Sequence, residues 1–296
     1  MELKLLRFLC YFDVFNHPLS VRELKALAHE EDEKKIHATL ETLIEKGVVF
    51  RQDDLYGIRE TISEQISIRN EKEDRAQSYY QKLPRYLRLI KAFPFVRGVA
   101  ISGSLSKNVM PEDGDIDYFI ITAANRLWVC RTLLVLFKKV FLLNSRKYFC
   151  LNYFVDENNL EIIDKNIFTA IEVKSLITVY NSALMNEVKQ KNNWTQEFVP
   201  GQLSHSKLLP LEPKKGFTFK KIPESFFFGG FGDRIDLFFM KKTYKRWQQK
   251  FKNFDADKFE LTMRTNRGVS KHHPRDFQSK VLQEYQTRID NFEPTK

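Results

Sequence analysis

The sequence predicts an α+β fold in which a mixed sheet flanked by helices follows a small three-helix unit and precedes a basic, mainly helical C-terminal region. Two observations carry the central sheet. The apolar runs VRGVAI and YFIIT lie on either side of a Gly-Ser turn and a polar loop. Each has the length and residue types of a buried strand. A third observation sets the ends of the chain apart from its middle. Helical apolar spacing followed by a short β pattern fills residues 1–60, whereas about +9 of the formal net charge of +10 falls from Gly201 onward.

Composition narrows the class. A length of 296 residues suggests two domains or three small modules. Hydrophobic content of 43%, with 26 phenylalanines, supplies real cores and excludes a disordered chain. Cys10, Cys130 and Cys150 are odd in number, widely spaced and set among apolar residues. They are expected as buried free thiols in a reducing, cytoplasmic setting. No basic stretch followed by a long apolar run opens the chain, so no secretory signal is expected. The most apolar segment, LWVCRTLLVLFKKVFLL, is interrupted by Arg131, Lys138 and Lys139 well short of the roughly 20 residues a span needs. It reads as an amphipathic helix packed on the sheet, with a membrane-surface helix as the other reading. A sequence pI of about 9.3 favours polyanionic partners, a nucleoside triphosphate or nucleic acid among them, although basic runs are also common as solvated faces.

In chain order, LKLLRFLCYFDVFNH has helical spacing, and Ser20 with Glu23 forms a capping box ahead of VRELKALAH. A third helix, DEKKIHATLETLIEKGV, ends at Gly47, and VVFRQDDLYGIR reads as a hairpin with Gln52-Asp53-Asp54 at its tip. Three helices and a hairpin in residues 1–60 resemble a winged-helix domain. Its third helix balances Lys34, Lys35 and His37 against Glu31, Asp32, Glu33, Glu41 and Glu45. A packing or protein-contact role is therefore expected ahead of DNA reading. Residues 61–94 form a connecting helix with no Gly/Ser linker, so the first unit is expected to be packed rather than tethered. Residues 95–200 hold the sheet: a helix near 126–143, the strand KYFCLNYFV, LEII as a hairpin partner, a helix IFTAIEVKSLITVYN capped by Asn166, and a helix in NSALMNEVKQKNNW. Residues 202–230 read as irregular. Within the C-terminal region, 201–296, a basic helix FGDRIDLFFMKKTYKRWQQKFKNF follows, then a helix begun by Pro274 with Asp276 near its positive end.

The chemistry-bearing stretch is VRGVAISGSLSKNVMPEDGDIDYFIIT. Residues two apart on a strand share a side, so Asp115 and Asp117 project together while Ile116 turns into the core. Two adjacent carboxylates repel unless a cation shares them, and oxygen ligands suit Mg²⁺ or Mn²⁺. Gly103-Ser104 allows close backbone approach to a phosphate. Asp113, in Pro-Glu-Asp-Gly, needs only a turn. The arrangement Gly-Ser, about ten residues, Asp-x-Asp resembles the DNA polymerase β-like nucleotidyltransferase superfamily over residues 96–155. The resemblance implies a nucleotidyltransferase-like sheet and a pair of metal ions held by Asp115 and Asp117. It implies terminal phosphates at Gly103 and Ser104, and a third carboxylate on a later strand. That third position falls on Asn152, which departs from the pattern because an amide supplies no charge and no base. Asp156 and Glu161 are the alternative acids.

The functional expectation is a metal-dependent transferase moving a nucleotidyl group from a nucleoside triphosphate to a hydroxyl or phosphate acceptor. The alternative is a non-catalytic relative acting as a regulatory or nucleic-acid-binding adaptor. Near the C-terminus, Lys271, His272, His273 and Arg275 cluster, but adjacent histidines point apart and no carboxylate pattern supports zinc.

Overall fold

The computed structural model describes residues 1–145, 147–201, 211–212, 220–227 and 229–292. The chain is α+β, with a mixed five-stranded sheet flanked by helices and a second, three-stranded sheet near the N-terminus.

The N-terminal unit holds α1 (Glu2–Asp13), β1 (Leu19–Ser20), α2 (Val21–Ala28), α3 (Glu33–Glu45), β2 (Phe50–Gln52) and β3 (Leu55–Gly57). Its helix boundaries follow local chemistry. The Ser20 hydroxyl accepts from Glu23 N while the Glu23 carboxylate accepts from Ser20 N, which closes the expected capping box. Asp32 caps α3, and Gly47 leaves it at φ +69°. The expected hairpin forms between β2 and β3, and β1 extends it into the order β1-β3-β2.

Helix α4 (Ile62–Ala92) runs 31 residues and carries Pro84 inside it. The central sheet then comprises β4 (Val96–Ser102), β5 (Asp117–Thr122), β6 (Cys150–Asp156), β7 (Ile177–Tyr180) and β8 (Val269–Lys271), in the order β7-β4-β5-β6-β8. The two runs that predicted the sheet are neighbours: β4 and β5 pair antiparallel, with Val99 opposite Ile120 and Ser102 opposite Asp117. Strands β5 and β6 are parallel, joined by α5 (Leu127–Phe141), while β7 and β8 join the edges antiparallel. Ile101, Ile116, Tyr118, Ile120, Trp128 and Phe154 fill the core between the sheet and α4 and α5. Ala100, Phe119, Ile121 and Val155 pack on the other face against α6 (Ile167–Lys174) and α7 (Ser182–Lys191).

Several expectations are corrected. LEII forms no strand among the described residues; its Ile162 N donates to Asn192 Oδ1 at 2.7 Å. The outer edge of β6 is covered instead by β8, more than a hundred residues later in the chain. The helix capped by Asn166, whose side chain accepts from Thr169 N, stops at Lys174. Its β-branched continuation forms the edge strand β7. The stretch read as irregular contains α8 (Lys221–Phe226), and α9 (Gly229–Lys250) begins earlier than expected. Most of 202–219 lies outside the described residues. In α9 helical spacing predicts an exposed face with two or three of Lys241, Lys242, Lys245, Arg246 and Lys250, and Phe238, Phe239 and Trp247 toward the core or its margin; all five basic side chains are exposed and Trp247 is buried, but Phe238 is exposed. After α10 (Ala256–Met263) and β8, the final helix α11 (Phe277–Ile289) starts after Pro274, not at it, with Asp276 as its N-cap at φ +49°.

The N-terminal unit packs against the rest of the chain. The buried Asp13 carboxylate accepts from Arg59 on the loop after β3, from Gln65 on α4 at 2.7 Å, and from Arg288 on α11 at 2.6 Å. Arg69 on α4 bridges Glu23 and Glu73. Among the described residues no helix is long and apolar enough to cross a membrane.

Candidate functional site

The Gly-Ser turn sits where β4 ends. Gly103 adopts φ +67°, and a Cβ built on it would lie 2.5 Å from Asp117 Oδ2, so only glycine lets the backbone press against that carboxylate. Ser104 leads into a single 3₁₀ turn, Leu105–Lys107. Helix α4 straps the turn and the following loop in place. Tyr80 Oη donates to Leu105 O at 2.6 Å, Met110 N to Lys72 O at 2.9 Å, Arg75 Nη1 to Met110 O at 2.8 Å and Tyr79 Oη to Gly114 O at 3.1 Å.

The loop ends in the expected alternation. Ile116 is fully buried in the core, while Asp115 and Asp117 are half-buried on the other side. They do not stand alone. Ligand atoms of Asp115, Asp117 and Cys150 all lie within 4.8 Å of one another, a spacing suited to one cation. The parallel register places Cys150 directly opposite Asp117, and an irregularity follows, so that Phe119 faces Tyr153 rather than Asn152. Both Cys150 and Asn152 reach the Asp117 carboxylate. Asn152 Nδ2 donates to Asp117 Oδ1 at 2.8 Å.

Electrostatics follow from this crowding. Burial pushes the Asp117 carboxyl up to about 8, the Asp115 charge adds to the rise, and the Cys150 thiol and Asn152 amide partly oppose it. Burial and the two neighbouring carboxylates drive the Cys150 thiol far above its ordinary value. At neutral pH the site holds a proton where a divalent cation would replace it. The donor set of two carboxylates, with a thiol and an amide beside them, fits a metal ion.

Of the residues expected at the site, Asp115, Asp117 and Asn152 come together, with Gly103 against Asp117. Ser104 shares a cavity wall with Gly103, Asp117 and Asn152. Neither alternative acid does. Asp156 sits at the far end of β6, where its oxygens accept from Asn125 N, Asn158 N and Asn159 Nδ2. Glu161 is exposed and pairs with Lys165 at 3.0 Å. The acid that does approach is Glu172 of α6, which no motif singled out. It accepts from Gly103 N at 3.1 Å and from Lys107 Nζ at 2.6 Å, and its charge contributes to the raised Asp117 value. Cys150 was also missed as a site residue. Its place two residues before Asn152 on one strand was the available signal.

The site opens into a cavity of about 250 Å³. Its walls come from distant parts of the chain: Phe12, Phe15 and His17 of the N-terminal unit, Phe168 of α6, Tyr153 of β6 and Phe277 of α11. Its three lysines are engaged. Lys72 donates to Phe15 O, Lys107 to Glu172, and Lys271 to Asp164 and Gln278. His273 also lines it. Its Nε2 is buried without a hydrogen-bond partner among the described residues, and burial and the Lys271 charge hold the imidazole down to about 4, so the ring is neutral. The neighbouring His272 turns away onto Trp247, with ring centroids 4.9 Å apart.

A scan of protein-family models finds no match to this chain, and neither the curated proteins nor the solved structures contain one.

Proposed function

We propose that the protein is a divalent-metal-dependent nucleotidyltransferase of the polymerase β-like type. It would transfer a nucleotidyl group from a nucleoside triphosphate to a hydroxyl-bearing acceptor held in the aromatic-walled cavity. The observation that carries the reading is the convergence of Asp115 and Asp117 against the Gly103 turn, with a carboxyl whose raised pKa marks a place for positive charge. Mg²⁺ or Mn²⁺ would be held by Asp115 and Asp117, where it supplies Lewis-acid stabilisation of phosphoryl oxygens and lowers the pKa of an attacking hydroxyl. Gly103 and Ser104 would face the terminal phosphates, which would take the Gly103 N–H that now donates to Glu172. Phe15, Phe168 and Tyr153 would shield an acceptor from water, and the neutral His273 Nε2 would give it one hydrogen bond. With all three lining lysines engaged, the cavity suits an uncharged ring system better than a second phosphate. The N-terminal unit reads as a winged helix used as a wall of the site rather than as a DNA reader.

A second reading is favoured by one observation. The position where the resemblance places a third carboxylate holds Asn152, hydrogen-bonded to Asp117, with Cys150 beside it. A protein that binds a metal–nucleotide without turning it over would look the same. Pyrophosphate release from each nucleoside triphosphate with Mg²⁺ or Mn²⁺, across a panel of hydroxyl acceptors, separates the two. Release that is lost in Asp117→Asn supports the transferase. Metal-dependent nucleotide binding without release supports the binding protein.

A further inference from the structure

We propose that the C-terminal tip of α5, with the face of α4 beside it, docks on an anionic lipid bilayer. Leu136, Val140, Phe141 and Leu143 are 55%, 59%, 69% and 90% exposed. Leu136, Val140 and Phe141 lie on the last turn and a half of a helix whose N-terminal half is in the core, and Leu143 follows it directly. The tip is built rather than frayed. Leu143 and Asn144 take φ +47° and +60°, and the turn is closed by Asn144 N to Lys138 O at 3.0 Å and Ser145 N to Leu142 O at 2.8 Å. A leucine held in the left-handed region and almost fully in water carries both a backbone and a hydration cost.

The surroundings specify the occupant. Phe141 stacks on Phe137, which meets Phe93 and Phe149. Phe149 meets Tyr86, and Tyr86 stacks on Tyr148. That chain of contacts leads from the tip to Lys82 and Lys147 at the Tyr148 ring. Lys82, Arg85, Arg88, Lys139 and Lys147 are exposed. The sequence has no Asp or Glu between Asp74 and Glu112, or between Asp117 and Asp156, so α5 and the second half of α4 contain no acid at all. A second copy of this face would meet like charge. Nucleic acid would match the charge but leave the aliphatic side chains unrewarded. A bilayer with anionic headgroups takes both, the apolar tip entering the acyl boundary and the basic flank lying on the headgroups. Since no helix among the described residues can span, the association is peripheral.

Co-sedimentation of the full chain with vesicles tests this. Binding is expected to phosphatidylcholine vesicles containing phosphatidylglycerol, about tenfold weaker to pure phosphatidylcholine, and weaker again in high salt. Leu143→Asp and Phe141→Ser, both at exposed positions, should each lower binding to the anionic vesicles about tenfold with an unchanged circular dichroism spectrum. Lys139→Glu should lower it less. Equal binding to both vesicle types, no binding to either, or full binding by both tip variants overturns the proposal. So does duplex DNA binding that displaces the vesicles and ignores Leu143→Asp, which would make the face a nucleic-acid surface. Concentration-dependent dimerisation abolished by Phe141→Ser would assign the tip to a second copy instead.

Discussion

Asn152 on β6 donates its amide N–H to Asp117 on β5 across 2.8 Å. The bond gives a crowded carboxyl one neutral partner, and it makes the metal chemistry of the site depend on a proton.

Metal affinity should therefore rise with pH. Asp117 keeps its proton up to about 8, and a cation must displace it. Between pH 6 and 8 the apparent affinity for Mn²⁺ is expected to climb by up to about tenfold per pH unit, with one proton released per ion. Calorimetry in buffers of different ionisation enthalpy reads that proton directly. In Asp117→Asn both the slope and the metal-dependent nucleotide binding should disappear.

Without metal, the same group makes stability fall as pH rises. An unfolded aspartate ionises near pH 4, whereas folded Asp117 stays protonated until about 8. Between those values ionisation favours the unfolded chain. Asp236, raised to about 6 by burial, has the same sign at lower pH, while His17 and His273, both held below the ordinary imidazole value by burial, act oppositely up to about pH 7, so the window from about 7 to 8 is the one in which Asp117 dominates. Urea denaturation across that window should show declining stability in the wild type and a flatter profile in Asp117→Asn.

Cys150 and Asn152 can be compared as the third-ligand position. Cys150 is the group whose ligand atom shares the 4.8 Å cluster, so Cys150→Asp should strengthen Mg²⁺ binding more than Asn152→Asp does. Asn152→Asp places a third carboxylate against Asp117 and should push its pKa higher still in the metal-free protein. Turnover raised by Cys150→Asp and not by Asn152→Asp would locate the chemistry on the Cys150 side. The opposite order would restore Asn152 to that role.

Gly103→Ala should cost more than Gly47→Ala. Both glycines have positive φ, but Gly47 has open space where a Cβ would go, while at Gly103 the Cβ meets Asp117 Oδ2 at 2.5 Å. Backbone strain alone gives about 1 kcal/mol at Gly47. Gly103→Ala should lose about 2–3 kcal/mol by denaturant titration, and metal binding with it.

The sheet neighbours, the Gly-Ser turn and the alternation around Ile116 were legible because they depend on local period and on buried apolar runs. What could not be read depends on register and on distant chain. The register sets Cys150 opposite Asp117, and no single-strand pattern announces it. Glu172 sits on a helix whose sequence offers only apolar spacing, and its use depends on where α6 packs. LEII failed as a strand because β8, far along the chain, takes that edge. ITVY was absorbed into a helix because its four residues continue a helical run without a break. The cavity was invisible for the same reason: its aromatic walls come from segments no motif connects.

Asp13 and Arg288 are 275 residues apart in sequence, yet their ion pair ties α1 to α11 beside the cavity that both help to line. During synthesis, then, the buried carboxylate made near the start of the chain waits for a guanidinium made near the end of the sequence. The carboxylates Asp115 and Asp117 leave the ribosome long before Phe277, which lines the same cavity, exists. A growing chain would carry that charged centre before the cavity beside it has its full set of walls, which it acquires only when α11 docks.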